Sequence, residues 1–415
     1  MEMYISILIL IVFWVSVFCI LVTYGFYPFL MSKIGAKRRG NRTIDISDGE
    51  LPELHVVMAM YNEASVIRAT LNSIVDSHYP TGKLTVWIGS DNSTDGSDEI
   101  VQSIANDHDF VNLRVFGGRS GKIKIINQLI DQIPHDDDSV LLLCDANVVW
   151  SKDLARNLAR HFKDDEIGVV ASCVIDSDIS QNGIAAEEDT YVNIENAVKF
   201  AEGEIWGKMM GAFGACYALR RSAFEAVPEH FNVDDFYLTM ACYEKGFDGI
   251  VDLEAICYEA VSEDISEEFR RKKRISKGNF QNLGRFFAFL LPWNCGLSTF
   301  FVFWAHKGFR WFGPLLLVFI LLSSLYLSLF GHWIYLIAFA GMICSLGLIG
   351  VDKMAERFGL PRHRIIKFVR YFYAMNFALL MGSIEFCKGI SNSVWEPTKR
   401  VPVGEIPAVP PQVRK

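Results

Sequence analysis

The nine cysteines of the chain have none of the spacings that bind a metal or form a redox pair. They are scattered singly, with no CxxC and no Cys/His metal pattern, and several lie inside apolar runs. Isolated cysteines of this kind are typical of buried thiols in a reducing compartment. The pattern therefore favours a cytosolic over a secreted aqueous domain.

A broad basic surface is also missing, because the formal net charge is -8. Nucleic acid has no electrostatic footprint here, so we expect no nucleic-acid partner. No internal repeat is visible, and the one biased segment is a Pro/Val-rich tail after Val401. What the chain does have is length and apolar content: 415 residues, 51% hydrophobic. This composition allows one large aqueous domain and several membrane segments.

The first apolar run, Tyr4 to Leu30, carries no charge and is long enough to cross a hydrocarbon core about 30 Å thick. A cluster of basic residues follows it: Lys33, Lys37, Arg38, Arg39 and Arg42. By the positive-inside rule this places the following residues in the cytoplasm. A cleaved signal peptide is the alternative, but the charges lie on the wrong side and no A-x-A site follows. We expect a transmembrane helix at 1–31 and a basic linker at 32–51.

Apolar segments return near the other end. Phe312–Phe330 and Trp333–Val351 resemble a transmembrane hairpin, whereas Phe368–Phe386 is interrupted by polar residues and either spans or lies in the interface. Phe286–Trp304 contains Pro292 and Gly296, which suits an interfacial helix. The predicted boundaries are an interfacial helix at 285–308, membrane or interfacial helices at 309–390, and a tail at 391–415.

Between the membrane segments, strand-like and helix-like patterns alternate. The strand-like runs are LHVVMAM (54–60), LTVWIGS (84–90), NLRVFGG (112–118) and SVLLLCD (139–145). Between them lie segments whose apolar residues recur at the spacing of a helix. Such alternation predicts an α/β domain, here 52–284, with a mostly parallel sheet and helices on both faces.

Polar residues follow three of these strands at the ends where ligands collect in such sheets. The first strand is followed by Tyr61, Asn62 and Glu63, the second by Asp91, and the fourth by Asp145 and Asn147. Each group alone is also explained by turns and helix caps, and Thr94 or Asp95 can cap the next helix. Three such groups at one edge indicate a binding site.

Taken together, these motifs resemble those of the family-2 glycosyltransferases, which have a GT-A, Rossmann-like nucleotide-sugar-binding fold. Three further segments extend the resemblance over roughly residues 52 to 290: GKIKIIN (121–127), GAFGACYALRR (211–221) and DDFYLTMACYEKGF (234–247). The chain is similar to the membrane synthases of cellulose, hyaluronan and poly-N-acetylglucosamine.

The resemblance implies a nucleotide-sugar donor and a divalent cation, Mg2+ or Mn2+. Asp145 and Asn147 occupy the family's DxD position, so both are predicted metal ligands and donor contacts. Asn147 replaces the second carboxylate, which puts metal affinity in doubt. Asp91 and Glu63 are the predicted contacts at the uracil and ribose, and Tyr61 and Asn62 are predicted to bind the donor. Lys122 is predicted near the nucleotide, the alternative being a solvated lysine at a helix start.

The same resemblance assigns the acid pair. Asp235 matches the family's general base and Asp234 would orient it. Two neighbouring carboxylates should raise one pKa. The alternative is a helix N-terminus with an Asn232 cap and acids favoured by the helix dipole.

A basic segment follows at Glu267–Phe286. Where processive relatives have a QxxRW motif, this chain has Arg271, Arg274 and Ile275. The two arginines could neutralise the departing diphosphate, while the alternative is a basic helix that attracts anionic lipid. Residues 394–400 stand where the relatives have a segment near the mouth of the active site.

The sequence is compatible with two candidate functions. The first is an inverting glycosyltransferase of the cell membrane, multi-pass with a cytosolic catalytic domain. It would transfer a sugar, expected to come from a UDP-sugar, to a polysaccharide or lipid-linked acceptor in cell-surface or exopolysaccharide synthesis. The second is a membrane-anchored nucleotide-sugar-binding protein without turnover.

Overall fold

The computed structural model describes residues 2–37, 44–176, 184–259, 265–330 and 332–389. These residues form two compact units. The first contains the N-terminal helix up to Leu30, Glu268–Phe280 and Phe301–Gly389, and the second contains residues 31–267 and 281–300. Because one helix, at 265–286, contributes to both units, the predicted domain boundaries stay predictions. The tail segment at 394–400 lies outside the described residues.

The second unit is built on an eight-stranded sheet. Its strands in chain order are β1 (Leu54–Met60), β2 (Leu84–Ser90), β3 (Val111–Val115), β4 (Val140–Cys144), β5 (Val149–Trp150), β6 (Ile167–Asp176), β7 (Cys216–Arg220) and β8 (Asp248–Glu259). Their spatial order is β3-β2-β1-β4-β7-β6-β8-β5.

Two strands of this sheet, β7 and the edge strand β5, run antiparallel to their neighbours. The first four strands in spatial order are parallel, as the alternating pattern predicted. β7 then runs antiparallel to both of its neighbours, β4 and β6. Its first residues therefore lie beside the last residues of β4, which is the edge where the sequence predicted a site.

The helices, in chain order, are α1 (Glu2–Leu21), α2 (Tyr27–Lys37), α3 (Ile67–Val75), α4 (Ser97–Asp107), α5 (Lys122–Ile130), α6 (Leu154–Ala159), α7 (Ile184–Trp206), α8 (Asp234–Glu244), α9 (Ile265–Phe286), α10 (Pro292–Phe303), α11 (Phe309–Trp311), α12 (Gly313–Ser328), α13 (Trp333–Arg357) and α14 (Arg364–Cys387). Two π-helical turns, Val22–Phe26 and Trp304–Gly308, interrupt the helices of the first unit.

The core of the second unit lies between the sheet and its helices. Every residue of β4 is buried, as expected for a central strand covered on both faces. Gly89 of β2 lies so close to Ile125 of α5 that a Cβ at this position would collide with that side chain. Glycine here allows the helix to pack tightly on the sheet.

A buried ionic cluster joins the 3-10 turn that follows α6, Arg160–Lys163, to strand β8. The Arg160 guanidinium donates to Asp252 of β8 at 2.8 Å, and the His161 ring lies 2.7 Å from the same carboxylate oxygen. Burial raises the pKa of Asp252, but the hydrogen bond and charge of His161 and the charge of Arg160 outweigh it, and the net pKa is lowered. Since each charge has a partner, the cluster is compatible with burial.

Three helices are long and apolar enough, by length and composition, to cross a membrane: Met3–Gly35, Trp333–Arg357 and Arg364–Cys387. The chain is therefore a membrane protein. The segment predicted as the weakest span, at 368–386, is among these three. Gly313–Ser328 passes the same test only together with Pro292–Trp311, to which it is joined at a bend of 68°.

Candidate active site

The loop after β1 is fastened to the loop after β2. Asn62 has a left-handed backbone (φ 53), which asparagine tolerates better than most residues. Its amide N–H donates to Ser93 Oγ at 3.1 Å, and its side-chain oxygen accepts from Thr94 N at 2.8 Å. The Glu63 N–H donates to Ser97 Oγ at 2.9 Å. The side chain of Asn62 thus holds the turn, and its predicted contact with a donor stays a prediction.

Asp91, at the end of β2, is buried and fixes the segment that leads into α5. Its carboxylate accepts from Ser120 N at 2.5 Å, from Gly121 N at 3.1 Å and from the Arg119 side chain at 3.1 Å. The Arg119 guanidinium also lies 3.4 Å from the centroid of the Tyr61 ring. The sequence analysis missed Arg119, which joins two of the residues predicted to bind the donor.

Lys122, the first residue of α5, lies between two carboxylates. Its Nζ donates to Asp145 Oδ1 at 2.8 Å and is 3.5 Å from Asp234 Oδ2. Burial lowers the pKa of Lys122, but the charges of Asp145 and Asp234 outweigh it, so the net pKa is raised and the ammonium stays charged. The alternative of a solvated lysine is therefore wrong.

The acid pair begins α8, as the sequence predicted. The cap, however, is different: the residue before the helix is Val233, in an extended conformation and without a side-chain cap. Asn232 is not the cap, because its backbone N–H and its side-chain amide both donate to Gln281 Oε1, at 3.0 and 2.8 Å. Asn282 of α9 donates to Val233 O at 3.1 Å. The end of α9 thus holds the segment that presents the two acids.

The pKa of Asp235 is raised above the usual value of a carboxyl group. Burial and the adjacent Asp234 carboxylate raise the pKa of Asp235 to about 6, although the Phe236 N–H and the charges of Lys122 and Lys199 oppose the rise. Its Oδ1 accepts from Phe236 N at 2.6 Å. On its other side is Gly214, where a Cβ would lie 2.8 Å from Asp235 Oδ2. Any larger residue at 214 would displace the carboxylate.

Lys199 of α7 is the second residue that the sequence analysis missed. It is 3% exposed, its Nζ lies 3.4 Å from the centroid of the Phe213 ring, and its charge lowers the pKa of Asp235. No motif surrounds it, because α7 belongs to the stretch between β6 and β7 for which no elements were predicted. The charge of Lys199 thus opposes, together with that of Lys122, the rise in the pKa of Asp235.

The residues predicted to bind a metal can supply part of a coordination shell. Among the described residues, no cluster of three or more His, Cys, Asp or Glu side chains could hold an ion by itself. Asp145 offers one carboxylate. Asn147 is 5% exposed, and its side-chain Nδ2 has no hydrogen-bond partner in the described structure. No hydrogen bond from Nδ2 therefore fixes the orientation of this amide. One carboxylate and one amide oxygen fit Mg2+ or Mn2+ when donor phosphates complete the shell.

Arg271 and Arg274 belong to the first unit, whereas the other predicted donor contacts belong to the second. Arg271 donates to the buried Glu268 at 3.1 Å along the same helix. Their assignment to the diphosphate stays a prediction.

Residues 55–227 match the family described as Glycosyl transferase family 2. This stretch of the chain is similar to family-2 glycosyltransferase domains. The match covers Tyr61, Asp91, Lys122 and Asp145, and it ends before the Asp234–Asp235 pair of α8. The resemblance that the sequence motifs indicated is confirmed for the donor side of this domain.

Two curated relatives show which proteins share the glycosyltransferase domain. A β-monoglucosyldiacylglycerol synthase of Nostoc sp. is 25% identical over 251 residues, covering 56% of this chain and 50% of the relative. A poly-β-1,6-N-acetyl-D-glucosamine synthase of Staphylococcus aureus is 29% identical over 131 residues, covering 31% and 30%. The chain spans about half the length, or less, of the curated relatives it matches.

A solved structure confirms the fold of the glycosyltransferase domain. The mannosyltransferase PcManGT from Pyrobaculum calidifontis, in complex with GDP-Man and Mn2+, superposes with a TM-score of 0.64. The alignment covers 91% of this chain and 99% of that protein, at 18% identity. The predicted α/β architecture of the GT-A type is thus confirmed.

Proposed function

We propose that the protein is an inverting glycosyltransferase. It transfers a sugar from a nucleotide-sugar donor, a UDP-sugar, to a polysaccharide or lipid-linked acceptor at the cytosolic face of the cell membrane. The product enters cell-surface or exopolysaccharide material.

The observation that carries this proposal is the contact of Lys122 with both Asp145 and Asp234. Asp145 belongs to the predicted donor site and Asp234 begins the helix of the predicted base. One ammonium therefore connects the residues that would hold the leaving diphosphate with those that would activate the acceptor. A protein that only binds nucleotide sugars needs the first group but not the second.

The donor would lie along the carboxyl ends of β1, β2 and β4. Tyr61, Asp91 and Arg119 would contact the base, and the ammonium of Lys122 would transfer from Asp145 to the diphosphate when the donor enters. A divalent cation held by Asp145 and Asn147 would supply further charge stabilisation to the leaving diphosphate.

Asp235 performs the proton transfer. Its carboxylate accepts the proton of the acceptor hydroxyl while that oxygen attacks the anomeric carbon from the face opposite the diphosphate. The new glycosidic bond forms as the bond between the sugar and the phosphate breaks. The nucleoside diphosphate leaves with that electron pair, and the anomeric configuration is inverted.

The membrane location rests on the apolar helices and on the basic residues that follow the first of them. The names of the relatives give two kinds of product, a glycolipid and a polysaccharide. Both products are compatible with a reaction beside the bilayer. The structural neighbour was solved with a guanine nucleotide, so GDP-sugars are the competing donor class.

Release of nucleoside diphosphate from a panel of UDP- and GDP-sugars tests the proposal. The purified protein in lipid nanodiscs should release UDP with one sugar and need a glycan or lipid acceptor for full rate. NMR of the product should show inversion of the anomeric centre. Tight UDP-sugar binding without any release would instead establish the binding protein without turnover. Retention would contradict the role of Asp235.

A further inference from the structure

The β7 strand carries a tyrosine whose hydroxyl is unsatisfied. Tyr217 is 1% exposed, and its hydroxyl has no hydrogen-bond partner among the described residues. Buried tyrosine hydroxyls usually have a partner, because an unpaired polar group loses its hydration without compensation. Tyr79, Tyr237 and Tyr243 follow that rule, donating to Pro52 O, Glu225 Oε1 and Met209 O at 2.6 to 2.7 Å. Tyr217 therefore requires an explanation.

The sheet register places Tyr217 next to the proposed site. Tyr217 pairs with Leu143 of β4, and two residues further along the same ladder Asp145 N donates to Ala215 O at 2.9 Å. Since side chains alternate between faces, Tyr217 and Asp145 lie on one face of the sheet as diagonal neighbours. The side chain of Tyr217 thus lies near the carboxyl end of β4, where the proposed site is.

The charges around the phenol come from both halves of the site. Burial raises the pKa of Tyr217, and the carboxylates of Asp234, Asp235 and Asp145 and the Cys216 thiol raise it further. The phenol therefore stays protonated and is a hydrogen-bond donor surrounded by carboxylates. The single positive charge of Lys122 is shared by two of these carboxylates, Asp145 and Asp234.

We propose that Tyr217 is a positioning residue that donates its hydroxyl proton to Asp234 when the donor diphosphate draws Lys122 away. This inference rests on the proposed function. Before the donor binds, Lys122 is the partner of Asp234 and the phenol is unpaired. Once the diphosphate takes the ammonium, the phenol satisfies the carboxylate beside the base. The Tyr217 hydroxyl would thus form its hydrogen bond only when the nucleotide-sugar donor is bound.

The variant Tyr217→Phe separates this role from a structural one. Removing an unpaired hydroxyl should leave the melting temperature of the ligand-free protein unchanged or higher. UDP affinity in the presence of Mn2+ should fall about tenfold, as expected for one hydrogen bond to a charged group. Tyr79→Phe is the matched control, since its hydroxyl is paired far from the site. That control should lower the melting temperature and leave UDP affinity unchanged.

The pH profile of transfer is the second readout. The Asp234 carboxylate raises the pKa of Asp235, whereas the facing cations Lys122 and Lys199 lower it. A pair that loses a hydrogen-bond donor is protonated more easily, so the acidic limb should move to higher pH by about one unit in Tyr217→Phe. Tyr79→Phe should keep the limb of the wild type.

The possible failures are distinguishable. A wild-type protein that binds UDP without transferring sugar would overturn the proposed function, while UDP affinity would still decide the role of Tyr217. A wild type that transfers normally, with a Tyr217→Phe variant of equal UDP affinity and equal pH profile, would overturn the inference on Tyr217 alone. A lowered melting temperature with unchanged affinity would make the tyrosine a packing residue.

Discussion

Lys122 Nζ lies 2.8 Å from Asp145 Oδ1, and the same nitrogen is 3.5 Å from Asp234 Oδ2. The two carboxylates come from segments about 90 residues apart in the chain and share this cation. A change of the charge at Lys122 should therefore affect both the proposed donor site and the proposed base.

Lys122→Met removes this shared cation and keeps the length of the side chain. UDP affinity should fall at least tenfold, about 1.4 kcal/mol, because the diphosphate loses its ammonium. The acidic limb of the transfer rate should also move to higher pH, since the charge of Lys122 lowers the pKa of Asp235. Calorimetry and a pH series on one preparation measure both effects.

Lys124→Met is the matched control, because Lys124 lies on the same helix and its Nζ is 3.8 Å from the exposed Glu229. It should change neither quantity. Equal effects of the two variants would contradict the role of Lys122.

Asp145→Ala tests the donor side alone. UDP binding with Mn2+ should weaken at least tenfold, about 1.4 kcal/mol, as the only carboxylate of the proposed cation site is removed. Asp153→Ala is a suitable comparison, since Asp153 is 59% exposed and paired with His78 at the surface. Unchanged calorimetric affinity of Asp145→Ala would remove Asp145 from the site.

Asp235→Asn separates binding from chemistry. Asparagine keeps the shape but cannot accept the proton, so transfer should fall about 10²- to 10⁴-fold while UDP affinity stays near wild type. Glu99→Gln, in the exposed first turn of α4, should have no effect on transfer. Asparagine at position 235 also removes an unfavourable buried charge, so the melting temperature at pH 7 should not fall. Normal transfer by the variant would refute the catalytic assignment.

The transfer rate should depend on pH with an apparent pKa of about 6. Burial and Asp234 raise the pKa of Asp235 to about 6, so below that pH the base is protonated and cannot accept the hydroxyl proton. The rate should fall about tenfold per pH unit below pH 6 and level off above pH 7. A plateau that extends to pH 4.5 would mean that the base has an ordinary carboxyl pKa.

The orientation in the membrane is tested by proteolysis. The basic residues after the first apolar span predict a cytosolic domain, so a protease added to intact cells should spare residues 52–260. Permeabilised cells provide the positive control, in which the same residues should become accessible. Cleavage in intact cells would reverse the proposed topology.

The local parts of the fold were predictable from the sequence. β1 and β2 were predicted to the residue, because alternating apolar runs bounded by turn residues define them. The third strand was placed at 112–118 and is observed at Val111–Val115, since two glycines end it early. The pairing of β6 with β8 and the course of α7 were not predicted. The elements that β6 and α7 pack against are distant in the chain. The pattern of apolar residues in β6 and α7 also resembles that of other buried segments.

The proposed site was predictable only where motifs mark it. Asp145, Lys122 and Asp234 were predicted from short motifs and are found together. Arg119 and Lys199 were missed because neither belongs to a motif, and their roles depend on contacts with Tyr61 and Asp235. The Asn232 cap was a reasonable local expectation. Gln281, 49 residues away, accepts the hydrogen bonds of Asn232 instead.

Because β7 runs antiparallel to β4, the residues proposed to bind the donor and those beside the proposed base come from different segments of the chain. Donor contacts follow strands that run in one direction, whereas Tyr217 belongs to a strand that runs the other way, and Gly214, two residues before that strand, packs against Asp235. Ala215 accepts a hydrogen bond from Asp145 N and Gly214 packs against Asp235, so the segment before β7 that can change without disturbing these contacts is 207–213. We expect that exchanging this segment between relatives would alter the choice of acceptor and leave the nucleotide preference intact, so that new products evolve on an unchanged donor platform.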